Sequence, residues 1–214
     1  MSNERAPEKR GRGRPRAYDA DEALTRARDT FWQSGYSATT LDELSTATGM
    51  NRPSLYGAFG DKHALYLATL ERYVEVNVTA MNEVLSEERP LEEALMQVYD
   101  LALGLYFRPA GAPRGCFLIG TAAVEAVEDE AVRTILGTGL QAFDRSFEAR
   151  FARAQRDGDL DRRADPAALA KIASAILHTL AVRSRAGDKR SALRATAEAG
   201  VAMLCGAGAA RAKK

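Results

Sequence analysis

Cysteine is nearly absent from this chain of 214 residues, with only Cys116 and Cys205 present. Two thiols so far apart cannot form the disulfide framework of a small secreted domain, so free thiols are expected. Histidine is as scarce. His63 and His178 stand far from each other and from both cysteines, and no metal site is expected. No run of eighteen apolar residues exists, so no segment is expected to span a membrane. The first eighteen residues are polar and basic, without the apolar core of a secretion signal, which points to the cytoplasm. A strong net charge is missing too: 30 basic side chains meet 29 acidic ones. Catalytic signatures are also lacking. There is no G-x-S-x-G elbow and no Walker loop, and the GAGAAR near the end follows a helical pattern rather than a strand. The acidic group Glu125, Glu128, Asp129 and Glu130 reads as a charged turn and helix start. No enzyme and no cofactor are expected.

The charge that is present is unevenly placed. Arg5, Lys9, Arg10, Arg12, Arg14 and Arg16 crowd the first seventeen residues against Glu4 and Glu8. That segment has no apolar period and is expected to be a disordered basic arm. Arg12, Arg14 and Arg16, spaced by Gly and Pro, suit a narrow A·T-rich minor groove; a solvated tail is the alternative.

Residues 39–62, TTLDELSTATGMNRPSLYGAFGDK, carry the sharpest pattern. Thr40 with Glu43 three residues on is a capping box, which starts a helix at Leu41. Gly49 ends it. Asn51 caps a second helix from Arg52 to about Ala58, with Pro53 in its first turn, where a missing N–H is tolerated. Leu55 and Phe59 face inward, leaving Arg52, Pro53, Ser54 and Tyr56 outside. Two short helices joined by a tight turn form a helix-turn-helix, whose second helix docks in the major groove of double-stranded DNA. The alternative is a helical hairpin of no special function.

The order GMNRPSLYGAFGDKHALYLATL, with the preceding FWQSGYSATTLDELSTATG, closely resembles the DNA-binding domain of TetR-family, AcrR-like transcriptional regulators, from about Arg14 to Leu70. The resemblance implies an all-α fold of about nine helices. A basic arm (1–17) and a three-helix helix-turn-helix domain (18–62) would precede a helical ligand-binding and dimerisation bundle (63–206) and a frayed tail (207–214). It places Thr39, Thr40, Arg52, Pro53, Ser54, Tyr56 and Lys62 at DNA-facing positions. Arg52 is then the candidate for bidentate guanine readout, and Tyr56, Thr40 and Lys62 are candidates for phosphate. The chain departs from the family pattern at Gly57 and Ala58, where aromatic or histidine residues are frequent.

With 46% hydrophobic residues the chain can bury a large core. A first helix from Asp19 to about Ser34 has a stripe of Ala20, Leu24, Ala27 and Phe31 with Ala23 beside it, and Trp32 is read as core or support. Later stripes mark helices after Asp61, after Pro90, over Cys116 to Val127, after Asp129, after Asp165 and from Asp188. Arg108 to Gly115, RPAGAPRG, reads as a loop. Tyr99, Leu103, Tyr106, Cys116, Phe117, Thr121, Phe143, Phe147 and His178 could line an apolar pocket for a neutral small-molecule effector; each could equally be plain core. Cys116, at a helix start near Arg114, could be a thiol of lowered pKa that senses oxidants or electrophiles, or an inert buried one. Ala192, Ala195, Ala199 and Ala202 form a small-residue stripe, with Ile172, Ile176 and Leu180 supplying bulk on the helix before. Periodicity allows either an intrachain face or a homodimer interface, and the resemblance implies the homodimer. The expected protein is a repressor that binds a near-palindromic operator and leaves it when effector binds. A constitutive architectural DNA-binding protein is the rival.

Overall fold

The computed structural model describes residues 19–107 and 112–206. The expected arm with Arg12, Arg14 and Arg16, the stretch 108–111 and the tail 207–214 lie outside the described residues. Among the described residues every regular element is helical.

Most boundaries follow from local capping chemistry. Asp19 accepts from the N–H groups of Asp21 and Glu22 and opens α1, Ala20–Ser34. Thr40 and Glu43 complete the capping box of α2, Leu41–Thr48, and Gly49 ends it in the left-handed conformation at φ 70°. Asn51 caps α3, Arg52–Phe59. Asp61 caps α4, Lys62–Ser86, and Pro90 precedes α5, Leu91–Tyr106. Each side-chain cap satisfies helix-start N–H groups that have no partner within the helix, and removing one typically costs about 1 kcal/mol.

Beyond the loop, the expected single helix over Cys116 to Val127 takes another form. Leu118–Ala122 winds as a π-helical turn and runs into the short α6, Ala123–Glu125. Gly115 enters it at φ 65°, where an added Cβ would lie 2.5 Å from the Ala181 carbonyl oxygen. Phe117, Leu118, Thr121 and Ala122 are buried, but Val124 and Val127 are 71% and 75% exposed, so in the second half only Ala126 reaches the core. Asp129 then caps α7, Glu130–Asp157, and Asp165 caps α8, Pro166–Arg185. The last helix, α9, is Arg190–Gly206. It starts two residues later than expected because Asp188 closes the preceding turn: its N–H donates to the Arg183 carbonyl and its carboxylate pairs with Arg183.

These helices share one continuous apolar core from Ala23 to Leu204. Within α1 the buried face is Ala23, Ala27, Phe31 and Trp32, while Ala20 is exposed and Leu24 half-buried, so the expected stripe is rotated by about one position. The end of α4 is held by α7: Arg153 donates to the Ser86 and Glu87 carbonyls, and Arg150 donates to that of Arg89. These guanidinium groups satisfy carbonyls that a helix end leaves open.

The first three helices join the rest through an aromatic junction. Trp32, Tyr73 and Phe117, from α1, α4 and the segment entering the π-turn, meet with ring centroids 5.4–5.6 Å apart. Such contacts add about 0.5–1.5 kcal/mol per pair beyond area burial. Arg114 lies over Trp32, its guanidinium carbon 3.7 Å from the ring centroid, and pairs with Asp29 at 3.2 Å. The Trp32 indole N–H donates to the Arg114 carbonyl at 3.0 Å. On the opposite side, His63 and Asp129 meet at 2.6 Å, joining the start of α4 to the start of α7.

Candidate nucleic-acid interface and internal cavity

The exposed end of the molecule is built from α2 and α3. Because Leu55 is buried and Asn51 fixes the first turn, α3 presents Arg52, Pro53, Ser54 and Tyr56 outward, all exposed. Arg52 and Tyr56, four residues apart, share one face. Of the DNA-facing candidates, Thr40 is exposed, but its hydroxyl serves the capping box and donates to the Glu43 carboxylate at 2.9 Å. Lys62 lies over the Tyr36 ring, 4.6 Å from its centroid. Thr39 departs from expectation. It is 1% exposed and donates to the Gly35 carbonyl at 2.6 Å, so it pins the turn between α1 and α2 and presents nothing to a phosphate. A residue that pattern reasoning missed also stands here. Asp42 accepts from Arg52 Nε at 3.0 Å and from Nη2 at 2.6 Å. Its only sequence signal is its place in the first turn of α2, which does not specify a partner ten residues away.

In the body, α4, α5, α7, α8 and the π-turn line a partly open apolar cavity of about 140 Å³. Tyr106, Cys116, Phe143 and His178 line it as expected. Tyr99, Leu103, Phe117, Thr121 and Phe147 do not. They are core, 0–4% exposed, with Tyr99 donating to the Ala173 carbonyl and Thr121 to that of Phe117. The α4 wall, Tyr73, Asn77 and Met81, is absent from the expected lining, because the stripe of α4 shows which way these residues face and not what stands opposite them.

Polar groups at the cavity are few. Tyr73 donates to the Cys116 sulfur at 3.3 Å, and His178 Nε2 is buried with no hydrogen-bond partner among the described residues. Burial pushes the His178 imidazole pKa down and favours its neutral form. Burial also pushes the Cys116 thiol up, against the lowering expected from a helix start beside Arg114. Burial outweighs the Leu118 and Ile119 N–H groups at the helix start, which do lower the thiol, and Arg114 is engaged with Trp32 and Asp29 instead.

The proposed pairing face is divided. Ala192, Ala195, Ala199 and Ala202 are all exposed along α9, and Ile172 is 52% exposed on α8. Ile176 is half-buried beneath Gly200, and Leu180 is fully buried. Leu180 therefore belongs to the intrachain core, because the inward face of α8 runs through Ala173, Leu177 and Leu180.

A short capped helix pair carried outside a helical body defines a helix-turn-helix DNA-binding protein. Two family models match along the chain: bacterial regulatory proteins of the tetR family over residues 23–69, and the tetracyclin repressor-like C-terminal domain over residues 92–199. The chain belongs to the TetR family and is a DNA-binding transcriptional regulator, not an enzyme. It is 32% identical over 181 residues to the HTH-type transcriptional repressor ComR of Escherichia coli, covering 84% of this chain and 85% of ComR. A cysteine-substituted form of the regulator CifR, solved with a 26-base-pair operator duplex, superposes with a TM-score of 0.80. That match has 32% identity and covers 88% of this chain and 98% of CifR. Reduced NemR of E. coli, 19% identical at a TM-score of 0.74, shares the fold. Among the described residues no helix is long and apolar enough to cross a membrane.

Proposed function

We propose that the protein is a homodimeric repressor, acting in the cytoplasm, that binds a near-palindromic operator and is released when a small uncharged molecule enters the cavity. The observation that carries this reading is a short physical path. Cys116 lines the cavity. Two residues earlier Arg114 grips Trp32 and Asp29 of α1, while Tyr73 of α4 touches both the Cys116 sulfur and the Trp32 ring. A ligand that displaces the Cys116 segment or the α4 wall must move α1 or α4, and those helices carry the reader. Release requires that the effector bind the non-DNA-binding arrangement more tightly.

The cavity chemistry bounds the effector. Apolar cavities of about 150 Å³ hold a molecule the size of benzene. Among the described residues the polar lining is the His178 imidazole, the Asn77 amide and the Tyr73 and Tyr106 hydroxyls, and no charged side chain lines the space. Similarity to a repressor over most of the chain favours repression over activation. The exposed alanine stripe of α9 with Ile172 supports pairing through α8 and α9, and a two-fold dimer places its recognition helices about 34–36 Å apart or further. A thiol sensor at Cys116 gains no support from a sulfur that is buried, hydrogen-bonded and raised in pKa.

The test is selection of binding sites from random duplexes, followed by titration of the selected site at several salt concentrations. A palindromic consensus bound at least ~10³-fold more tightly than random duplex supports the reading. Binding with a steep salt slope and no preferred sequence refutes it in favour of an architectural protein. The selected site then serves to screen small neutral aromatic and aliphatic compounds for release.

A further inference from the structure

We infer that Asp42 is a positioning residue for base readout: it grips Arg52 side-on and leaves the end-on edge of the guanidinium to meet a guanine. The inference rests on the proposed reading that α3 enters the major groove. Arginine has five N–H donors in a rigid plane. Asp42 engages Nε and Nη2 with its two oxygens, at 3.0 and 2.6 Å. That fork uses the Nε proton and one Nη2 proton. Both Nη1 protons and the second Nη2 proton remain, and one Nη1 proton and that Nη2 proton lie along the edge whose spacing matches guanine O6 and N7.

Two further facts give the pair a purpose. Both side chains are exposed, Arg52 by 54% and Asp42 by 75%, so the pair is not a means of burying charge. A carboxylate on a face that meets phosphates is repelled by them, and a reader relying on charge alone would bind better without it. Its gain lies in order. A free arginine samples many rotamers and loses that freedom on contact, whereas one held across α2 and α3 is already aimed.

The experiment uses the full chain and the operator selected above. Affinities are measured by fluorescence anisotropy for the operator, for random duplex, and for operators changed at each position of a half-site. The unaltered protein is compared with Asp42→Ala, Asp42→Asn and Arg52→Ala, each checked for helical content and melting temperature. Arg52→Ala is expected to abolish a guanine preference of ~5- to 100-fold at one position. Asp42→Ala is expected to lower that same preference at least ~3-fold while binding to random duplex stays equal or tightens, since a negative charge has left the face. Asp42→Asn, which keeps one acceptor, should fall between.

An unchanged preference in Asp42→Ala overturns the inference. So does a sharpened one, which would mean that Asp42 competes with DNA for Arg52. Loss of preference at a base insensitive to Arg52→Ala overturns it too, since Asp42 would then read that base itself. If Arg52→Ala keeps every preference, the inference falls while sequence-specific binding stands. If the unaltered protein selects no sequence, the proposed function falls with it.

Discussion

Replacing Arg114 by alanine should loosen the reader from the body by an amount the geometry bounds. The guanidinium stacks on Trp32 at 3.7 Å, and the indole is 1% exposed, so the cation–π contact is largely desolvated and worth about 1–2 kcal/mol. The pair with Asp29, whose side chain is 33% exposed, adds up to ~1 kcal/mol. Asp29 keeps Arg28 at 2.8 Å, so no carboxylate is stranded, and the Arg114 carbonyl that receives the indole N–H is backbone and survives. The expected loss is about 1–3 kcal/mol. For a chain of this length each kcal/mol moves the melting temperature by about 2–4 °C, so the variant should melt about 2–12 °C lower. Trp32 is the only tryptophan, and its emission reports the junction directly. Arg114→Met, which keeps the stem but not the charge, should lose most of the same amount. If either variant melts within ~1 °C of the parent, the stack and ion pair do not hold the junction, and the proposed path from cavity to reader loses its middle link.

Glycine substitutions should separate a rigid close approach from a soft one. Gly115→Ala forces a Cβ to 2.5 Å from the Ala181 carbonyl at a left-handed φ and should cost about 3 kcal/mol or more, whereas at Gly120→Ala the clash is with the end of the Arg185 side chain and the cost should stay near ~1 kcal/mol. Equal denaturation midpoints for the two variants would refute this. Alkaline pH should weaken the fold: burial raises Cys116, lifts Cys205 to about 11 and lifts Tyr66 to about 12. These groups stay neutral in the folded chain after the unfolded chain has ionised, so stability is complete below the ordinary thiol value and falls as pH rises through about 11. Urea midpoints that do not change from neutral pH to about 10.5 would contradict that sign. Ala199→Glu places a charge on the exposed α9 stripe and should shift sedimentation from dimer to monomer and weaken operator binding at least ~10-fold, since each half-site would bind alone. An unchanged dimer would remove α9 from the interface.

The legible parts of this fold are those that local chemistry decides. Asp19, Thr40, Asn51, Asp129 and Asp165 each cap the helix that their sequence position announces, because a side chain that accepts from the second or third N–H needs no tertiary partner. The recognition helix is legible for the same reason. Where a neighbour decides, the reading weakens. Asp188 looks like a cap but is taken by Arg183, a partner on the preceding helix. Thr39 resembles an exposed threonine until the Gly35 carbonyl claims it.

The cavity shows the limit most clearly. Phe143 and Phe147 lie one turn apart on the same stripe of α7, with the same side chain and the same helical face, yet Phe143 lines the cavity and Phe147 is solid core. Periodicity carries only the direction a residue faces. What it meets there is set by how far the opposing helix stands off, and Gly139, whose added Cβ would lie 2.9 Å from both Val74 and Leu118, draws α7 against α4 on one side of Phe143. The space left beyond that contact is walled by α4 residues such as Tyr73, Asn77 and Met81, whose part depends on α7 as much as on α4. A cavity is thus a property of the gap between helices, and a gap leaves no residue of its own to read. That is why the cavity emerges only with the packing, while the capped helix pair is visible from the order of its amino acids.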